Sequence, residues 1–247
     1  MNNYEQFACV YDRLMTDVNY IRRTKYLLKL FKKFGKIPIL LLDLACGTGG
    51  FSNEFANLGI DVIGVDMSEE MLSVARMNSA NHGTDVLFLC QKAEELDLYG
   101  TVDGAVCCMD SINHITNKKN LKSAFKKVSL FLEKDSLFIF DVNTPYKHEK
   151  ILGNNTFVFE ENGIYSVWVN RYNNKTGIVD INLDFFEKTG ENYSRHSADF
   201  SERSYTFDEL NKMLEETGFK VEAVYDDMTE EPVEEMSERA IYIAKKL

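Results

Sequence analysis

The feature that most constrains this chain is a regular alternation, up to about residue 142, of continuous apolar runs with amphipathic stretches. Ile37 to Asp43 is one such run, Gly50 to Leu58 has helical spacing, and Asp61 to Asp66 is apolar again, which makes a β-α-β unit. A helix from Ser68 to about Ala80, strands at Val86–Cys90 and Val102–Cys107, a helix from about Asn117 to Phe131 and a strand at Leu137–Val142 continue the beat. Strands that are apolar on both faces have to be covered on both. The expected fold is therefore an open α/β domain, a mostly parallel sheet between helix layers. Two amphipathic helices precede it, one carrying Tyr4, Phe7, Ala8, Tyr11, Leu14 and Met15, the other Ile21, Leu27, Leu28, Phe31 and Phe34.

After Pro145 the period changes to two, with Phe157 and Phe159, Tyr165, Val167 and Val169, then Ile181, Leu183 and Phe185. Asn173 to Gly177 has the composition of a hairpin turn, so an antiparallel insert is expected from about 154 to 204. Thr206 and Glu209 have capping-box spacing, and Gly218 closes the helix they start. Phe219–Tyr225 and Arg239–Lys245 form two final antiparallel strands. The expected organisation is one domain over 1–150 and 205–247, with 1–35 as a helical cap and 151–204 as the insert.

The chain carries 28 basic and 39 acidic residues, a formal charge of −11, and a field of that sign repels phosphate backbones and anionic membranes. Neither nucleic acid nor membrane is expected as a partner. The acids between Asp226 and Glu238 read as a solvated loop. With no basic-plus-apolar leader and no run of about 18 apolar residues, a cytoplasmic protein is expected. The cysteines at 9, 46, 90, 107 and 108 lack metal-ligand spacing and read as reduced core thiols.

The strongest local signal is the segment Leu41 to Gly50, between the first strand and a helix. Its small residues let the backbone turn sharply and approach a ligand, while the helix start aims unpaired N–H groups at an anion. Asp66 ends the second strand nineteen residues beyond Gly47, where a carboxylate can accept from both ribose hydroxyls. Together they specify an adenosine-containing cofactor, NAD or S-adenosylmethionine. A dinucleotide site calls for glycine where this chain has Ala45, and Asp43 ahead of the loop suits a cationic ligand group. S-adenosylmethionine meets both demands, its α-ammonium on Asp43 and its α-carboxylate on the loop amides.

Asp43 to Gly49 with Asp66 resembles the first motif, and the acid that follows it, of class I S-adenosylmethionine-dependent methyltransferases. Tyr4, Phe7, Tyr11-Asp12 and Tyr20, the Phe138 to Tyr146 strand exit and the Arg239 to Lys245 strand resemble small bacterial members of that class. The resemblance implies a Rossmann-like, seven-stranded sheet whose last strand is antiparallel. It also implies that Asp43, Ala45, Gly47 and Gly49 line the methionine end, Asp66 the ribose, Met67 the adenine face, and Ala93 with Glu94 the adenine edge. Cys108 and Met109 would lie near the sulfonium, with Tyr11 and Tyr20 closing over the cofactor. The family often has Asp where this chain has Lys92.

Methyl transfer from a sulfonium is a direct displacement, so the enzyme chiefly aligns the reactants and excludes water. His114 is the candidate base for an acceptor that must lose a proton, and Asp110 the candidate to orient it. Asn143-Thr144-Pro145-Tyr146 is similar to the Asn-Pro-Pro-Tyr motif of amino-methylating enzymes, but it has one proline and follows strand five rather than four. Asp110, Asp141 and Asn143 stand where catechol-type relatives hold magnesium; the expectation here is no metal. The insert, with Trp168, Arg171, Tyr172, Arg195, His196 and Arg203, reads as a substrate lid or a homodimer-forming element. Arg203 is expected in a surface ion pair or on an acceptor carboxylate. The function expected is methyl transfer to a small-molecule acceptor. The alternatives are a nicotinamide-dependent oxidoreductase and a non-catalytic S-adenosylmethionine-binding regulator.

Overall fold

The computed structural model describes residues 11–14 and 18–247. Tyr4, Phe7, Ala8, Cys9 and Met15 lie outside the described residues. Helix α1 (Tyr20–Phe34) opens on Asn19, whose side chain accepts the Arg22 N–H at 2.9 Å, and buries Leu27, Leu30 and Phe31.

Strand β1 (Leu40–Leu44) begins three residues later than the apolar run suggests. Pro38 has no N–H to give a ladder, Ile37 and Ile39 are exposed, and the Asp103 carboxylate takes the N–H groups of Ile39 and Leu40 at 2.8 to 3.1 Å. Helix α2 (Gly50–Asn57), β2 (Asp61–Asp66), α3 (Glu69–His82), β3 (Val86–Cys90), β4 (Val102–Cys107), the single turn α4 (Ser111–His114), α5 (Lys118–Phe131) and β5 (Leu132–Asn143) follow. β5 is twice the expected length, because α5 runs directly into it and the polar stretch Glu133 to Asp135 forms a bulge between Leu132, paired with Val102, and Leu137, paired with Gly104, with Asp135 at φ 64°.

A four-stranded antiparallel meander comes next: β6 (Thr156–Glu161), β7 (Ile164–Asn173), β8 (Ile178–Thr189) and β9 (Asn192–Arg203). The β7–β8 turn lies at Asn173–Gly177, where Gly177 adopts φ 68°. Ile164, Leu183 and Phe185 are its buried face, packed with Trp168 and with Leu14 from the N-terminal segment. Helix α6 (Phe207–Glu216) starts on the Thr206–Glu209 capping box. β10 (Phe219–Asp226) and β11 (Arg239–Lys246) complete the main sheet.

The sheet order is β10-β11-β5-β4-β1-β2-β3, parallel except that β11 is antiparallel to both neighbours. Alternate residues serve opposite cores: Leu42, Cys107, Phe138, Phe140 and Tyr242 face one helix layer, and Leu41, Val106, Ile139 and Ile241 the other. Strand order reverses between β1 and β4, so a crevice opens at their carboxyl ends, the place where open α/β folds bind ligands.

Two expectations are corrected. The acidic segment after β10 is solvated only in its second half, where Glu231, Glu234, Glu235 and Glu238 are exposed. Its first half is docked on α1, where Arg23 meets Asp227 at 3.0 and 2.8 Å, Lys29 and Lys33 pair with Glu230, and the Tyr26 hydroxyl donates to the Thr229 carbonyl. Of the cysteines, 107 and 108 are buried, but Cys46 is half-buried and Cys90 exposed. Among the described residues no helix is long and apolar enough to cross a membrane.

Candidate active site

The loop after β1 turns by left-handed residues, Ala45 at φ 57°, Gly47 at 55° and Gly49 at 78°. A side chain at Gly49 would also meet Phe88 and Ala75, at 3.1 and 3.2 Å from its Cβ. Cys46 N–H donates to the Val65 carbonyl, which staples the loop to β2. Asp43 is 1% exposed and accepts the Ser52 hydroxyl at 2.5 Å. Burial, helped by the Asp66 charge, pushes its carboxyl up to about 7. Asp66 accepts the N–H groups of Gly47 at 2.8 Å and Ser68 at 2.9 Å, and burial raises it despite those bonds. The Gly47 amide, expected to face a ligand, is thus engaged by Asp66, whose two oxygens each keep a lone pair for further donors.

Tyr11 and Tyr20 line the same crevice as Asp43, Ala45, Gly47, Cys108 and Met109, and they nearly fill it: the free volume is about 40 Å³. That is room for little more than a water. Tyr20 stands edge-on to Phe51 at 5.1 Å between centroids and covers Gly50 so closely that a Cβ there would lie 2.5 Å from its ring. Burial raises the Tyr11 hydroxyl far above the ordinary phenol range, with the charge of Tyr20 and then of Asp110, Asp12 and Asp66 adding to it. The neighbouring Asp12 accepts from the Thr48 hydroxyl at 2.6 Å and the Asn78 amide at 2.9 Å, and Asn78 also donates to the Thr48 carbonyl. Thr48 and Asn78 were not singled out in the sequence. Nothing local to Asn78, thirty residues beyond the loop, marks it.

At the tip of β4, Met109 and Asp110 are left-handed non-glycine residues at φ 58° and 50°. The Asp141 carboxylate holds this turn by accepting both N–H groups, at 2.7 and 2.8 Å. Arg239, at the start of β11, donates to Asp141 and, at 2.6 Å, to Asp110. Burial alone would raise Asp110, but the Arg239 charge, with His114 and Lys147, holds it down at about 2. Burial works against the Arg239 charge, yet the two carboxylates raise its pKa further. The candidate orienting acid is therefore one arm of a buried three-charge cluster.

His114 is partly exposed, its Nε2 3.9 Å from both Asp110 and Glu202, beyond hydrogen-bonding distance, and its ring lies 5.3 Å from that of Phe200. Glu202 itself is buried against His148 Nε2 at 2.9 Å and the Asn143 amide at 3.0 Å. Asp141 and Asn143 are both turned to protein partners. Arg239, Glu202 and His148 went unremarked in the sequence, since each depends on a partner more than fifty residues away. Arg203 forms no ion pair among the described residues. It donates to the carbonyls of Thr116 at 2.5 Å and Thr176 at 2.7 Å and lies over the Tyr205 ring, because the β9 terminus brings it to two chain segments with unpaired carbonyls.

On the far side of Asp66, Met67 is exposed, and Ala93 and Glu94 sit on a 3₁₀ turn after β3. Glu94 accepts from the Asn120 amide at 2.8 Å, and Lys92 approaches Glu95 at 3.7 Å.

A parallel sheet with this strand order, a glycine turn set between a buried and a half-buried acid and an antiparallel final strand define a class I methyltransferase architecture. Residues 41–135 match the family model described as a methyltransferase domain. The chain is 33% identical over 244 residues to YqeM of Bacillus subtilis (strain 168), a protein named as a methyltransferase, covering 98% of this chain and 97% of that one. It superposes on the crystal structure of an S-adenosylmethionine-dependent methyltransferase from Clostridium acetobutylicum ATCC 824 with a TM-score of 0.90 and 31% identity over 99% of each chain. The S-adenosylmethionine-bound amino pentose methyltransferase CalS10 from Micromonospora echinaspora shares the fold at a TM-score of 0.78 and 16% identity, over 96% of this chain and 97% of that one. The chain belongs to the class I S-adenosylmethionine-dependent methyltransferases, which sets aside the nicotinamide reading.

Proposed function

We propose that the protein transfers a methyl group from S-adenosylmethionine to a small-molecule acceptor in the cytoplasm, using the crevice between β1 and β4. The supporting observation is the pair of acids, Asp43 buried and Asp66 half-buried, on either side of the Gly47 turn. Asp43 suits the α-ammonium, Asp66 the ribose hydroxyls, the first-turn amides of α2 the α-carboxylate, and Met67, Ala93 and Glu94 the adenine. A Cβ at Gly47 would meet nothing within 4 Å, so the turn is open on its ligand side, although Tyr11 has to move before a nucleoside can enter.

When bound, S-adenosylmethionine supplies a methyl on an already activated sulfonium. With the donor held there, an acceptor lone pair would take the methyl and leave the carbon–sulfur pair on sulfur, and His114 would receive a proton carried by the acceptor. Cys108 and Met109 shape the sulfonium side, Asp110 orients the acceptor, and the meander over 151–204 excludes water.

The test is calorimetric titration with S-adenosylhomocysteine and NADH in parallel. Binding of the first alone is expected, and Asp66→Ala should weaken S-adenosylmethionine at least tenfold, because hydrogen bonds to a charged group are worth about 1.5 to 3 kcal/mol each. Unchanged affinity in that variant overturns the assignment of the crevice. Tight binding with no S-adenosylhomocysteine formed against any acceptor mixture would mark a regulator.

A further inference from the structure

A second cavity, of about 470 Å³, adjoins the crevice and shares Met109 with it. The strained β4 turn is thus the partition between a narrow crevice and a chamber of the size that takes small ligands, roughly 300 to 1,000 Å³. A displacement needs its acceptor on the side of the methyl away from sulfur, so an acceptor chamber has to touch the donor crevice, and this one does.

The charges on the chamber wall are unevenly satisfied. Arg23 is neutralised by Asp227 through two contacts, and Arg239 by Asp110 and Asp141. Lys147, half-buried on the turn after β5, lines the chamber with no hydrogen bond or ion pair to its ammonium among the described residues. Asp110 is near enough to feel its charge but is already held by Arg239. Asp226 and Glu238 also line the cavity. One Asp226 oxygen accepts the Asp227 N–H, and Glu238 is exposed, where water and salt screen it. Among the described residues this partly desolvated ammonium, with three free donors, is the one cation of the wall without a partner, and an anionic ligand group meets it.

We propose that this chamber takes the anionic end of the acceptor, whose reacting atom lies at the Met109 turn beside the crevice, and that Lys147 selects a methyl acceptor bearing a carboxylate or phosphate. The assignment rests on the methyl donor occupying the crevice at Gly47, and two readouts keep the two claims apart.

The full-length protein is first titrated with S-adenosylhomocysteine, then incubated with tritiated-methyl S-adenosylmethionine and a metabolite extract split on anion-exchange resin into retained and unretained fractions. Label is expected in the retained fraction. Lys147→Met should lower its rate at least tenfold, Lys147→Arg should restore most of it, and both variants should bind S-adenosylhomocysteine as the wild type does. Phosphatase treatment of the fraction separates the two anions: label lost means a phosphate, label kept a carboxylate. Label only in the unretained fraction, label nowhere, or Lys147→Met working at the wild-type rate overturns the proposal. Failure of the first titration instead overturns the crevice assignment.

Discussion

Cofactor affinity should climb steeply with pH between 5 and 7, and the reason lies in one buried carboxyl. Asp43 is held at about 7, against about 3.9 for an unperturbed aspartate, mainly by burial. An α-ammonium on Asp43 requires the carboxylate, so below pH 7 the site must first release a proton. The apparent dissociation constant is then multiplied by one plus ten to the power of pKa minus pH, about 100-fold at pH 5 and about twofold at pH 7. The expected gain is roughly 50-fold over a range in which an ordinary α-amino group, with pKa near 8, remains cationic. Calorimetry at pH 6 in two buffers of different ionisation enthalpy should show close to one proton released per ligand. Asp66, also raised by burial, adds to the slope, so Asp43→Asn is the control. That variant should bind weakly, with most of the slope gone. A flat wild-type profile, or proton uptake on binding, refutes the reasoning.

The same carboxyl makes the ligand-free protein lose stability as pH rises from about 4 to about 7, because the folded state binds the Asp43 proton more tightly than the unfolded chain does. Asp43→Asn should therefore stabilise the apo protein by up to about 4 kcal/mol at pH 8 but by only about 1.5 kcal/mol at pH 5; an equal gain in urea midpoint at both values would count against it. Asp110 slopes the other way: held at about 2, it contributes stability that is present above about pH 4 and disappears as pH falls through 2, a loss that acid titration of Asp110→Asn should lack. Asp141→Asn breaks a buried pair and one backbone bond to the left-handed turn, so a cost of about 3 to 5 kcal/mol is expected by urea unfolding, and under about 1 kcal/mol would show the turn holds itself. Gly50→Ala drives a methyl into the Tyr20 ring and should raise the S-adenosylhomocysteine dissociation constant while Tyr20→Ala in the same chain recovers part of it; additive losses would deny the contact.

Most of the main sheet was legible because a strand covered on both faces has to be apolar throughout, and β1 and β4 show that directly. Thr206-x-x-Glu209 and Asn173 to Gly177 were legible because caps and turns are closed by neighbours in sequence. What escaped notice was whatever depends on distant partners. Arg23 meets Asp227 across 204 positions, so the acidic segment reads locally as solvated although its first half is docked on α1. Arg239 looks like the polar first residue of a strand, and only the β11–β5 register sets it beside Asp141. The β5 boundary was missed for a different reason: Glu133 to Asp135 are polar, yet no Gly or Pro separates α5 from the strand, and they bulge out of the ladder between the paired Leu132 and Leu137.

The segment from Tyr11 to Leu14 links these parts into one mechanical unit. Tyr11 occupies the crevice, Asp12 is tied to the glycine loop and to α3, Arg13 pairs with Glu187 and donates to the Asn162 carbonyl, and Leu14 packs against the core of the meander. With about 40 Å³ free, a nucleoside displaces Tyr11, and Tyr11 cannot leave without straining the bonds of Asp12 beside it. Those are two hydrogen bonds to a charged group, worth about 1.5 kcal/mol or more apiece, whereas the partly exposed Arg13–Glu187 pair adds little. The meander holds the segment by more than that pair, since Arg13 donates to the Asn162 carbonyl, the Asn162 amide donates to the Arg13 carbonyl, and Leu14 packs against Ile164, Leu183 and Phe185, so resistance to opening is shared between the two ends. Donor entry should therefore strain the glycine loop and the meander together, because the four residues from Tyr11 to Leu14 are tied to both.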